Sequence, residues 1–130
     1  MSAVQRFFEG IKVIDTDTHL TEPHDLWTAR APASYRDRVP QVKTIDGRRQ
    51  WFVAGDVALA PAAPASVIRK DRSKASGVEF FRWQIEDVHP ACYDVKARLA
   101  LMDELEIWAQ IVYPNLAGFG NQRFLKIEDA

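Results

Sequence analysis

At 130 residues and 14.8 kDa the chain makes one domain, spanning 1–130, with no room for two independent cores. Its composition, 47% hydrophobic, 27% charged and 11% aromatic, excludes a disordered chain, a collagen-like repeat and a disulfide scaffold. Seventeen basic residues against eighteen acidic leave a net charge of -1, so no overall positive field exists to hold nucleic acid or an anionic membrane.

The first predicted element runs from Lys12 to Leu20. Val13 and Ile14 open it as an apolar, β-branched strand, and its second half alternates. Period two puts Asp15, Asp17 and His19 on one face and Ile14, Thr16 and Thr18 on the other. His24 to Ala31 follows as a short helix, with Thr21 as cap, Pro23 in the first turn and Pro32 closing it. Val42 to Ile45 and Arg49 to Val53 flank Asp46-Gly47, which predicts a hairpin. Ala58 to Ser66 is small and proline-punctuated, hence an ordered loop, and Arg69 to Lys74 is a basic, solvated and mobile one. Asp94 to Leu105 is the clearest helix, with Asp94 as N-cap and an apolar stripe of Val95, Leu99 and Met102. Trp108 to Tyr113 then reads as a buried strand ended by Pro114. Strand, long insertion, helix and strand make a βαβ pattern, which is an α/β fold.

Asp17-Thr18-His19 is the sharpest candidate for chemistry. Two residues apart on a strand, a carboxylate and an imidazole face the same way and can share one divalent ion. Asp15, one step deeper, is placed to orient His19 or a water on the ion from behind. Without a third ligand, the same three groups also serve simply to finish a strand end. Asp87-Val88-His89 repeats the spacing in a loop, where His89 is either a loop histidine near a helix start or a substrate contact. His24 reads as a surface or capping residue. Phe80, Phe81 and Trp83 form either core packing or an apolar wall over a substrate. Cys92 is the single cysteine, so it forms no intrachain disulfide, and no motif marks it as a nucleophile. Met1 to Lys12 has no apolar signal core, and no stretch reaches the ~20 apolar residues of a membrane span. The expected location is the cytoplasm.

Two blocks carry a resemblance. Val13 to Pro23 (VIDTDTHLTEP), with Asp25 to Trp27, Tyr35 to Asp37 and Pro40, is similar to the opening of the amidohydrolase-related proteins. The similarity is to the branch that contains aminocarboxymuconate-semialdehyde decarboxylase. His89 to Asp94 (HPACYD), Ala97 to Leu99, Met102-Asp103 and Ala109 to Pro114 (AQIVYP) continue it in the same order. The resemblance implies the N-terminal part of a (βα)8 TIM barrel carrying an inserted β-hairpin, with a metal held at the C-terminal ends of its strands. A full barrel takes about 250 residues, so the expectation is a truncated barrel whose next helix would begin at Ile127 to Ala130.

By that resemblance Asp17 and His19 match the first-strand metal pair, and Asp15 supports them. In many members the pair is two histidines; the aspartate here hardens the site. Zinc is the ion expected, with manganese or iron as alternatives. The function implied is hydrolysis of a small organic substrate by a metal-activated water. The rival readings are a non-oxidative decarboxylase of the same family and a non-catalytic fragment or binding module. Two ligands alone predict weak metal binding and no turnover, and two open strand edges predict self-association. Family members often carry glycine after the Leu105 position, so Glu106 is expected to be strained in a left-handed turn by about 1 kcal/mol.

Overall fold

Residues 10–116, with Gln122, Leu125 and Ile127, are described by a computed structural model. Along them run strands β1 (Val13–Leu20), β2 (Gln41–Ile45), β3 (Arg48–Val53) and β4 (Val57–Pro61), then helix α1 (Val95–Glu104) and strand β5 (Ile107–Pro114). They form a mixed α/β fold with two sheets, a parallel pair β1-β5 and an antiparallel meander β2-β3-β4. Met1 to Glu9, read as free of a secretion signal, and Glu128 to Ala130, where a further helix was expected to start, lie outside the described residues. No helix among the described residues is long and apolar enough to cross a membrane.

The meander is built from its turns. Asp46 and Gly47 take φ of 49° and 74°, the pair of left-handed residues that joins right-twisted strands through two residues. That turn makes the predicted hairpin and sets Thr44 opposite Arg49 and Val42 opposite Trp51. A second reversal at Ala54 and Gly55, with φ of 49° and 87°, returns the chain as β4 against β3. Here the expected loop from Ala58 is corrected. Val57 and Leu59 alternate with small alanines, which is enough for an edge strand beside β3. Pro61 ends it, where the missing N–H removes little pairing. Trp51, Val53, Leu59, Ala62 and Leu116 form the buried core of this unit, with Trp27 and Val42 packed against it.

The segment from His24 to Ala31 is a run of turns rather than a helix, held by single bonds such as Ala29 N–H to Asp25 O at 2.9 Å. Its expected cap is used elsewhere: the Thr21 hydroxyl accepts from Ala65 N–H at 2.8 Å and touches Cys92 Sγ at 3.0 Å. Within the turns, the Trp27 and His24 rings stand edge-on to Trp51, at 5.3 and 5.9 Å between centroids. Burial pushes the His24 imidazole below its usual 6.5, and the nearby Arg49 charge pushes the same way. The folded state therefore binds that proton more weakly than the unfolded state. Its contribution is complete above pH 6.5 and is lost as pH falls through it. Urea midpoints should drop more between pH 7.5 and about 5.5 for the native chain than for His24→Gln; equal drops would assign the loss to other groups.

The helix begins where expected. The Asp94 carboxylate accepts from Ala97 N–H at 2.7 Å, closing the first turn. Its inward face is the expected one only at Leu101 and Met102. Val95 and Leu99 are 61% and 55% exposed, while Ala97, Arg98, Leu101 and Met102 turn inward. The cause is Arg98, whose guanidinium bonds to groups on both parallel strands and brings its own side of the helix onto them. β5 also departs from its buried expectation, since Trp108, Ile111 and Tyr113 are about half exposed. Among the described residues, the sheet has only two strands and one helix against it. After Leu105, Glu106 takes φ 57°, the strained left-handed turn expected of a position that suits glycine. Glu106→Gly should stabilise the chain by about 1 kcal/mol, or roughly 4 °C in Tm by calorimetry. An unchanged or lowered Tm would place the strain elsewhere.

A smaller cluster of buried residues joins Trp83, Val88 and Cys92, with Phe80 packed against it, whereas Phe81 is 66% exposed. The basic loop is tied down rather than loose. Arg69 pairs with Glu79 at 2.8 Å, and Arg72 Nη2 donates to Glu104 at 2.8 Å.

Candidate functional site

The last residues of β1 carry the candidate site, and an irregularity in pairing shapes it. Asp15 pairs with Gln110 and Thr18 with Val112, so three steps along β1 match two along β5. One extra residue is inserted, a β-bulge, and strict alternation is lost between Asp15 and Thr18. Asp15 is consequently engaged with the neighbouring strand. Its Oδ2 accepts from Gln110 Nε2 at 3.0 Å and its Oδ1 from Asp17 N–H at 3.2 Å. Asp17 and His19 do come together, with His19 Nε2 4.0 Å from Asp17 Oδ1. The Asp17 side chain is 84% exposed and that of His19 only 24%, so the imidazole is held while the carboxylate stays free to adjust. Tyr113, paired with His19 across the strands, places its ring 5.9 Å from the imidazole.

Ligands about 2.1 Å from a tetrahedral ion stand about 3.4 Å apart. A small movement of the exposed Asp17 brings the pair to that spacing, so two donors of suitable type fit a divalent ion. Among the described residues no group of three or more His, Cys, Asp or Glu is gathered around one point.

Sequence reasoning did not single out the framework behind this pair. Arg98 reaches from α1 with Nε to Ala91 O at 2.8 Å, Nη1 to Thr18 Oγ1 and Gln110 Oε1 at 3.1 Å each, and Nη2 to His19 O at 2.8 Å. Gln110 passes the network on to Asp15. In the sequence, Arg98 stood only as a member of the Ala97 to Leu99 block that carries the resemblance, with no role attached. Glu22, also unmarked, is 9% exposed and accepts Leu116 N–H with both carboxylate oxygens at 3.1 Å. Asn115 N–H donates to Leu20 O at 3.1 Å, so the C-terminal ends of β1 and β5 are locked together. Those ends border a groove of about 820 Å³ lined by Glu22, Leu26, Arg30, Tyr93, Lys96 and Tyr113. The outer end of parallel strands is where α/β folds commonly bind ligands.

His89 and His24 fall in different places. His89 Nδ1 accepts from Ala91 N–H at 3.3 Å, capping a single 3-10 turn, and His89 lines a second cavity shared with His19. His24 stands at the meander core against Trp51. Cys92 is buried, and burial pushes its thiol up, away from the thiolate that a nucleophile requires.

No family model matches the chain, and no curated protein matches it. A solved structure does: a crystal structure of an amidohydrolase from Mycobacterium avium subsp. paratuberculosis aligns with TM-score 0.58 at 22% identity. The alignment covers 90% of this chain and 34% of that one, so the chain spans about a third of the length of the structure it matches. Over nearly all its length, the chain has the fold of part of an amidohydrolase.

Proposed function

We propose that Asp17 and His19 are two ligands of a divalent metal, zinc foremost, in a metal-dependent hydrolase acting on a small organic substrate. The observation that carries this is the approach of Asp17 Oδ1 and His19 Nε2 to 4.0 Å at the outer end of a parallel strand. The fold shared with an amidohydrolase supports it. In this reading β1 and β5 are neighbouring strands of a (βα)8 barrel, whose ligand site lies at their C-terminal ends. When bound, the ion supplies Lewis acidity and activates water. The chain's own residues hold and orient. Arg98 fixes the His19 carbonyl and the Thr18 hydroxyl, Gln110 ties that network to Asp15, and the Asp15 carboxylate fixes the Asp17 N–H.

Titration of the 130-residue chain with zinc by calorimetry should give weak, one-site binding, because a catalytic zinc normally has three protein ligands. Asp17→Asn should weaken that binding, and His19→Ala should remove it. Binding that survives both substitutions would locate the donors elsewhere, and no binding at millimolar zinc would end the reading.

A further inference from the structure

Between α1 and the parallel strands lies a cavity of about 230 Å³. Most of its wall is hydrocarbon: Val67, Ile68, Leu101, Met102 and Ile107 line it. The polar part is unusual in its sign. No aspartate or glutamate lines it among the described residues, and its one permanent charge is the Arg98 guanidinium. The acceptors around Arg98 are the carbonyls of Ala91 and His19, the Thr18 hydroxyl and the Gln110 amide oxygen, all neutral. Among the described residues no carboxylate makes an ion pair with it. A guanidinium has five N–H donors, and those four acceptors leave one on Nη2. His89 supplies a second donor on the same wall. Its Nδ1 accepts the Ala91 N–H, so the neutral ring carries its proton on Nε2.

An apolar cavity of about 150 Å³ takes a benzene-sized guest, so this one has room for a six-carbon body with a polar head. We propose that the cavity is a binding site for a small aliphatic monocarboxylate of about six carbons in all. The carboxylate meets Arg98 and His89, and the chain lies among Val67, Ile68, Leu101 and Met102. The unpaired cation selects the head, since a partly buried charge attracts its counter-ion more strongly than one in water. The apolar wall selects the body. Nothing in this site uses Asp17 or a metal, although His19, the other proposed metal ligand, also lines the cavity.

The test is a titration of the 15N-labelled full chain with hexanoate, hexan-1-ol and acetate at pH 7, followed by amide shifts. Hexanoate should shift Val67, Ile68, Leu101 and Met102 saturably. Acetate, lacking four methylenes worth about fourfold each, should bind about 200-fold more weakly. Hexan-1-ol should bind at least tenfold more weakly than hexanoate. Met102→Trp, which fills the cavity, should remove the hexanoate shifts; Leu101→Phe serves the same purpose if that variant does not fold. Equal binding of the alcohol and the acid would overturn the role of the cation. Hexanoate shifts that persist in a folded cavity-filled variant, or no saturation at all, would overturn the site.

Discussion

Trp51→Ala should cost about 3–5 kcal/mol of stability. Trp51 is 2% exposed in the meander core, where the rings of Trp27 and His24 stand near-perpendicular to its indole and Val53 and Leu59 share the buried cluster. Truncation removes the largest side chain of that core and leaves a cavity that two stiff strands cannot close. Stabilities of domains are about 5–15 kcal/mol in total, so this one loss is a large share. Trp51→Phe keeps a ring against Trp27 and should cost about half as much. Urea unfolding followed by far-ultraviolet dichroism measures both. A loss below about 1 kcal/mol for the alanine variant would mean that the core is organised around other residues.

Arg98→Ala is the second large effect, expected at about 3 kcal/mol. The side chain joins α1 to both parallel strands through three acceptors and to the turn at Ala91 through a fourth, and its removal leaves Thr18, Gln110, Ala91 O and His19 O short of a partner in a partly buried place. Arg98→Lys should recover only part of the loss, because an ammonium is a compact donor that cannot span acceptors fixed around a planar fork. Gln110→Ala on top of Arg98→Ala should add less than it costs alone, since both belong to one network. Strict additivity in that cycle would show that the two act independently.

The features legible in the sequence are those whose causes lie within a few residues. Asp46-Gly47 specifies its own turn, Asp94 caps the helix that follows it, and the β-branched start of β1 and the apolar run of β5 read as strands. The Glu106 turn was foreseen only through the family resemblance, since members often carry glycine there. What escaped the sequence depends on distant partners. Thr21 looks like a helix cap until Ala65 and Cys92, far along the chain, take its hydroxyl. The bulge after Asp15 exists only in the pairing with β5, so period two could not foresee it. The face of α1 is decided by what Arg98 finds on two strands, not by the apolar stripe beside it. In the candidate site, the spacing of Asp17 and His19 was readable, whereas Arg98 and Gln110 became visible only once residues far apart in sequence were side by side.

The separation of the two sheets also dictates an order of assembly. β2, β3 and β4 are linked by tight turns and can zip as soon as those turns form. β1 and β5 stand almost at opposite ends of the described chain, and bringing them together closes a loop from Leu20 to Ile107. Closing such a loop costs entropy that grows with its length, by about 0.6 kcal/mol for each doubling, and non-local pairing of this kind slows folding. The meander is therefore expected to form early and the parallel pair late. Leu116, just past β5, belongs to the core around Trp51. The early sheet thus stays incompletely packed until the late one arrives, which couples two sheets that share no strand.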